Sequence, residues 1–413
     1  MIRKLASISL AAGALLLGAC HADDSLMPPA APTGGELMTR FVAMGNSITA
    51  GYQSNGINDS TQRQSYAYLI THASGAPYFY QSLQGRGCAP PFTNNVSQTR
   101  VGGGTAGTCD LVAPGEKPWL SNVAVPGARA IEMTNNAATP VSASNALTTL
   151  ILGGETQAQR MAEAQPTLVT MWAGNNDVLG ALTNASNPGV SAAVTSSSSF
   201  NSSYDSAAAA IAATGAKALL IGVVDVTNIP YASSGATIWC LSKGVCPGVP
   251  KALPDSFIVN DNCAPNAVIG TSYGDSILVP WTKSLPLIAA LTGTNHTNLD
   301  CTVDANVVTP TEFAVMRNAV AAYNTHIQAV VAANPNFAYW DPNPTLLAKR
   351  AAGQIPAFPD LSTVGTGGSV GFGTYFTLDG VHPSATAHKL IADSIASHLN
   401  AAFGTTIPIP VAP

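Results

Sequence analysis

Four short stretches carry side chains suited to acyl-group chemistry. Residues 42–52 read VAMGNSITAGY, an apolar run that breaks at Gly45-Asn46-Ser47 and enters a helix-like stretch. A hydroxyl at the end of a buried strand is either a helix cap or a nucleophile at the mouth of a cleft, and both readings are open for Ser47. FTLDGVHPS puts Asp379 ahead of His382 in one short loop. An uncharged imidazole is the natural base for a serine at neutral pH, and a carboxylate behind its other nitrogen fixes the tautomer and stabilises the imidazolium. The plainer reading is a surface loop before a Pro-Ser helix start. Pro126-Gly127 also follows an apolar run. It is either an ordinary turn or a place where a backbone N–H, unshielded by a Cβ, approaches a reacting oxygen. In Gly174-Asn175-Asn176-Asp177, Asn176 either caps the next helix or aims a neutral amide donor at a developing oxyanion. No CxxC or HExxH occurs, so a metal is not expected, and a serine acting with a histidine base implies no cofactor.

These residues need a frame that brings them together. Short apolar runs alternate with helix-like stretches: MTRFVAMG, SNVAVPG, PTLVTMWAG, AKALLIGVVDV and NFAYWD. The runs are too continuous for strands with one wet face, which predicts a parallel sheet buried on both sides. Between the last two runs, Phe313, Met316, Val320, Tyr323, Ile327 and Val330 form a helical stripe over about 310–333. A final helix from about Ser384 repeats His388, Ile391, Ile395 and Leu399; His388 falls on its packing face. The alternation predicts a doubly wound α/β domain over about 38–402, followed by a tail at 403–413. Three excursions, at about 82–118, 184–198 and 226–309, do not fit it. The Ser-rich NPGVSAAVTSSSSFNSS of the middle one reads as a mobile loop.

Composition narrows the partners. Charged residues make up 9% of the chain, against roughly 25% in an average protein, which suits an uncharged, exported surface. The net charge is -5 and the pI near 5.7, with no basic cluster beyond the N-terminus, so no nucleic-acid partner is expected. Residues 1–19 read as a secretory signal, with Arg3 and Lys4 before an apolar stretch too short to span a bilayer. The end, Leu17-Gly18-Ala19-Cys20, resembles a bacterial lipobox. That resemblance implies a lipid on Cys20, a membrane anchor and an outer-membrane or cell-surface location; cleavage after Ala22 would instead release a secreted protein. Residues 20–37 then read as a flexible tether. Setting Cys20 aside leaves Cys88, Cys109, Cys240, Cys246, Cys263 and Cys301, an even set that predicts three disulfides, most simply between neighbours.

Taken together, the Ser47 block, the Gly127 turn, the Gly174-to-Asp177 block and the Asp379-to-His382 block resemble, in type and order, the SGNH (GDSL) hydrolase family. LVTMWAGNND and DGVHPSATAHKLIA are most similar to its lipase and esterase branch. The resemblance spans most of 38–402 and implies a three-layer α/β/α fold with a flavodoxin-like sheet order 2-1-3-4-5. It further implies an ester hydrolase with Ser47 as nucleophile, His382 as base and Asp379 as its partner. The oxyanion hole would comprise the backbone N–H groups of Ser47 and Gly127 and the Asn176 side chain. Substrates would be small-molecule, lipid or acylated-polymer esters. One departure stands out: the family's usual Gly-Asp-Ser is Gly45-Asn46-Ser47 here, which keeps an acceptor oxygen and loses a charge.

Other readings compete. Gly270-Thr271-Ser272-Tyr273-Gly274 and Gly367-Gly368-Ser369-Val370-Gly371 both match the G-x-S-x-G nucleophile elbow, although neither follows a long apolar run. An acyltransferase would use the same acyl-enzyme. A surface lipoprotein that only binds a lipid or polymer is the non-catalytic reading, and it leaves the joint presence of Ser47, Gly127, Asn176, Asp379 and His382 unused.

Overall fold

The computed structural model describes residues 31–110, 112–113, 115–136, 146–283 and 297–409. The signal segment, Cys20, the first part of the tether, residues 284–296 and residues 410–413 lie outside the described residues.

Four of the apolar runs form parallel strands: β1 (Phe41–Gly45), β2 (Leu168–Trp172), β3 (Lys217–Ile221) and β4 (Phe337–Trp340). They pair in that order, with Phe41 opposite Leu168, Leu168 opposite Lys217 and Ala218 opposite Phe337. Around them stand α1 (Ser47–Ala50), α2 (Tyr66–Ser74), α3 (Gln157–Glu163), α4 (Asn176–Leu182), α5 (Ser197–Ala213), α6 (Pro310–Ala332), α7 (Asn343–Ala351) and α8 (Ala385–Phe403).

Successive side chains on a strand face opposite sides, and here each side has its own core. Val42, Met44, Val169, Met171, Ala218 and Leu220 pack with Met161 of α3, Phe200 and Ile211 of α5, and Met316 and Ile327 of α6. Phe41, Ala43, Leu168, Leu219 and Ile221 pack with Tyr66 and Ile70 of α2 and Ile395 and Leu399 of α8. The result is a three-layer α/β/α fold. Burial on both faces explains why these strands read as unbroken apolar runs.

Two expectations differ from the structure. SNVAVPG is not a strand, although its backbone meets β1: Ala43 N–H donates to Ser121 O (2.8 Å) and Val123 N–H to Ala43 O (2.9 Å). Only Ala43 and Asn122 form a bridge. The Asn122 side chain accepts the N–H of Ala124, and this local turn competes with a continuous ladder. The Ser-rich stretch is no loop beyond Ser196. Ser196 caps α5 by accepting from Ser199 N–H, and Phe200, Tyr204, Ala207 and Ile211 give α5 a fully buried stripe. Weak serine propensity is overridden there by a cap and an apolar face.

The excursions pack beside this frame. The disulfides are Cys88–Cys109, Cys240–Cys246 and Cys263–Cys301. The last two staple a separate cluster that includes Ile238, Trp239, Phe257, Val259 and Ile277. Among the described residues, no helix is long and apolar enough to cross a membrane.

Candidate active site

β1 ends at Gly45, whose φ of +151° and close surroundings exclude a side chain: a Cβ there would lie 2.6 Å from Thr49 Oγ1 and 2.7 Å from the Trp172 carbonyl oxygen. Gln157 of α3 grips this glycine from both sides, accepting its N–H and donating to its carbonyl, each at 2.8 Å. The chain then turns into α1. The cap of α1 is Asn46, whose Oδ1 accepts from Ile48 N–H at 3.1 Å. Ser47 is therefore released from capping. Asn thus retains the acceptor that a cap needs while carrying no charge.

The Ser47 hydroxyl is 2.9 Å from His382 Nε2, and His382 Nδ1 is 2.8 Å from Asp379 Oδ2. Ser47 is 6% exposed, and the His382 and Asp379 side chains 13% and 11%. Asp379 Oδ1 accepts from the N–H groups of Val381 and His382 and from Thr377 Oγ1; Oδ2 also accepts from Asn55 N–H at 2.7 Å. Burial by itself would raise the pKa of Asp379, but the His382 charge and these hydrogen bonds outweigh it and bring the carboxyl down to about 2. Asp379 is thus an anion at any physiological pH. Tyr52 lies against the imidazole with ring centroids 4.9 Å apart, and burial next to Asp379 pushes its phenol up to about 12, so it stays neutral.

The other two blocks meet in a loop. Gly127 has φ +86°, in the left-handed region that favours glycine. Asn176 Nδ2 donates to the carbonyl of Ala128 at 2.8 Å, and Asp177 Oδ2 accepts from Ala130 N–H at 2.9 Å. Asn176 needs only one of its two amide hydrogens for that bond, leaving the other for a ligand. Burial raises the Asp177 carboxyl to about 6.

A cleft of about 110 Å³ opens at Ser47, Asn176 and His382 and continues between apolar side chains, among them Leu179, Val226, Ile229, Leu346, Ile355 and Phe376. Gly127 is not among its lining residues. No group of three or more His, Cys, Asp or Glu side chains among the described residues is arranged to hold a metal.

The competing serines are elsewhere. Ser272 is 4% exposed, and its hydroxyl donates to the Asp261 carbonyl at 2.7 Å within the stapled cluster. Ser369 follows a short 3-10 turn, not a strand. His388 is fully buried in α8 with neither ring nitrogen hydrogen-bonded among the described residues, and burial pulls its pKa down to about 3. Sequence reasoning did not find Gln157, Asn55 or Thr377, and it gave Asp177 no role of its own. Asn55 acts through its backbone, which leaves no side-chain signature, and Gln157 reaches Gly45 across 112 residues.

Comparison with known proteins bears on the same residues. A family model described as GDSL-like Lipase/Acylhydrolase matches residues 41–395. No curated protein matches the chain. A solved structure titled "Crystal Structure of TesA" is similar at 12% sequence identity, covering 88% of this chain and 99% of that one, with a TM-score of 0.33.

Proposed function

The chain belongs to the family of GDSL-like lipases and acylhydrolases and is an ester hydrolase with a serine nucleophile, and we propose that this nucleophile is Ser47, with His382 as base and Asp379 as its partner. The observation that carries the reading is the unbroken relay from the Ser47 hydroxyl through both imidazole nitrogens to a buried carboxylate, with links of 2.9 and 2.8 Å. As Ser47 Oγ bonds to the ester carbonyl carbon, His382 Nε2 takes its proton and Asp379 balances the imidazolium charge. The oxyanion faces the backbone N–H of Ser47 and the free amide hydrogen of Asn176, which line the cleft; Gly127, which does not line it, is assigned as the third donor from the family resemblance alone. Collapse breaks the bond to the alcohol oxygen, which leaves with the proton from His382. Water then attacks the acyl-enzyme by the same route and regenerates Ser47.

The substrate is a small ester with an apolar group, because the walls beyond Ser47 are almost entirely apolar. Residues 38–402 form the hydrolase unit, and SNVAVPG, though not itself a strand, runs beside β1 in the place that the second strand holds in the order 2-1-3-4-5. The protein is exported and held at a membrane by a lipid on Cys20; the lipobox-like LGAC and three disulfides support this. Lipid labelling in the wild type that disappears in Cys20→Ala tests the anchor, and export without lipid incorporation rejects it.

The catalytic assignment is tested by turnover of p-nitrophenyl esters of increasing chain length. Ser47→Ala is expected to lose about a millionfold in rate while unfolding at an unchanged temperature. An active, folded Ser47→Ala enzyme rejects the assignment.

A further inference from the structure

The Asp379–His382 loop is held by a strap from the segment that joins α1 to α2. Ser54 and Asn55 have φ of +50° and +53°, a conformation sparsely populated by residues with a Cβ. That backbone turns the Asn55 N–H onto Asp379 Oδ2 and the Ser54 N–H onto Thr377 Oγ1 at 2.9 Å. Thr377 in turn donates to Asp379 Oδ1. A pair of left-handed residues persists only where its surroundings over-determine it.

Arg100 supplies that determination. Its side chain belongs to the first excursion, which Cys88–Cys109 closes, and the residue is 7% exposed. Arg100 Nη1 donates to the Asn55 carbonyl at 2.8 Å and to the Pro90 carbonyl, and the guanidinium lies over the Phe92 ring at 3.9 Å. No carboxylate pairs with it among the described residues. A buried cation held only by carbonyl oxygens and a ring stays put when those groups are where it needs them, so its position and the Asn55 conformation depend on each other. The same excursion touches the loop a second time: Asn95 Nδ2 donates to the carbonyls of Leu378 and Val370.

We propose that Arg100 is a positioning residue for the reaction: by holding the Asn55 carbonyl it fixes the left-handed backbone of Asn55, so that the Asn55 N–H orients the Asp379 carboxylate toward His382. The inference rests on the assignment of Asp379 and His382 given above. It gives the disulfide-closed excursion a task in the chemistry.

The test compares kcat, KM and thermal unfolding of the full chain on a soluble ester, with active sites counted by a serine-directed phosphonate. Arg100→Met keeps the apolar stem and loses the donors; kcat per titrated site is expected to fall roughly 10- to 100-fold with KM nearly unchanged, since misorientation of a catalytic group is felt in turnover. Arg100→Lys, which restores a donor, is expected to recover part of that loss. Asn55→Val, disfavoured in the left-handed region, is expected to be at least about tenfold slower than Asn55→Gly, for which that region is open. Should Arg100→Met fail to fold, the Asn55 pair decides. Wild-type kcat per site in Arg100→Met, or equal kcat in the two Asn55 variants, overturns the proposal. If Asp379→Asn is itself fully active, the assignment beneath the proposal is what fails.

Discussion

Two aspartates stand behind the cleft, Asp379 in the loop that carries His382 and Asp177 in the first turn of α4, and their surroundings drive them in opposite directions. Asp379 receives donors from Thr377, Val381, Asn55 and both the backbone and the ring of His382, and its carboxyl drops to about 2. Asp177 is 1% exposed, and its carboxylate accepts from Ala130 N–H and from the Thr195 hydroxyl, fewer donors than Asp379 has. Burial wins there, and the carboxyl rises to about 6. Both residues are desolvated, so burial is not what distinguishes a charge partner from an anchor. The number of donors and an adjacent imidazole distinguish them: an anion placed to balance an imidazolium must already be solvated by the protein.

The comparison breaks most visibly in turnover. Asp379→Asn keeps the shape and loses the charge, and kcat is expected to fall by about 10⁴, as happens when a base loses its tautomer-fixing partner. Asp177→Asn retains an acceptor for Ala130 N–H, and its kcat is expected to stay within about tenfold of the wild type. Equal losses in the two variants would erase the distinction between them.

Stability against pH sharpens the same contrast. The native-state pKa of Asp177 lies above its unfolded value, so between about pH 4 and 6 the native state binds more protons and stability falls as pH rises. Two units correspond to about 3 kcal/mol, and Asp177→Asn is expected to flatten that decline in urea titrations across the window. Asp379 has the reverse sign. Its contribution is fully present above about pH 4 and is lost as pH falls toward 2, so Asp379→Asn is expected to remove part of the acid sensitivity in that range. The smallest effect belongs to the stapled cluster: Ser272→Ala is expected to cost about 1 kcal/mol for one hydrogen bond and to leave turnover unchanged.

The parts of this arrangement readable from sequence are those that repeat or bear chemistry on side chains. β1 to β4 announced themselves because burial on both faces demands unbroken apolar runs, and α6 and α8 because their stripes recur every three or four residues. Ser47, Asp379 and His382 were visible as residue types in order along the chain. The supports were not. The Asn55 N–H and the Ala128 carbonyl are backbone groups that any residue could supply, and the grip of Gln157 on Gly45 joins distant segments through a residue type common on helix surfaces. The α5 helix was obscured by its serines, because side chains that compete locally for hydrogen bonds also make good caps. Asn46 shows the converse: the departure from Gly-Asp-Ser was plain in the sequence, but only the backbone geometry reveals that Asn46, rather than Ser47, caps α1.

The central claim is that the hydroxyl beside His382, and no other, attacks the ester. Treating the folded wild-type enzyme with a serine-directed phosphonate and mapping the modified peptide by mass spectrometry tests it directly, because phosphonylation requires the same activated oxygen as acylation. A single label on Ser47 that tracks the loss of activity one for one is expected. A label on Ser272, or complete inactivation with Ser47 unmodified, would contradict it.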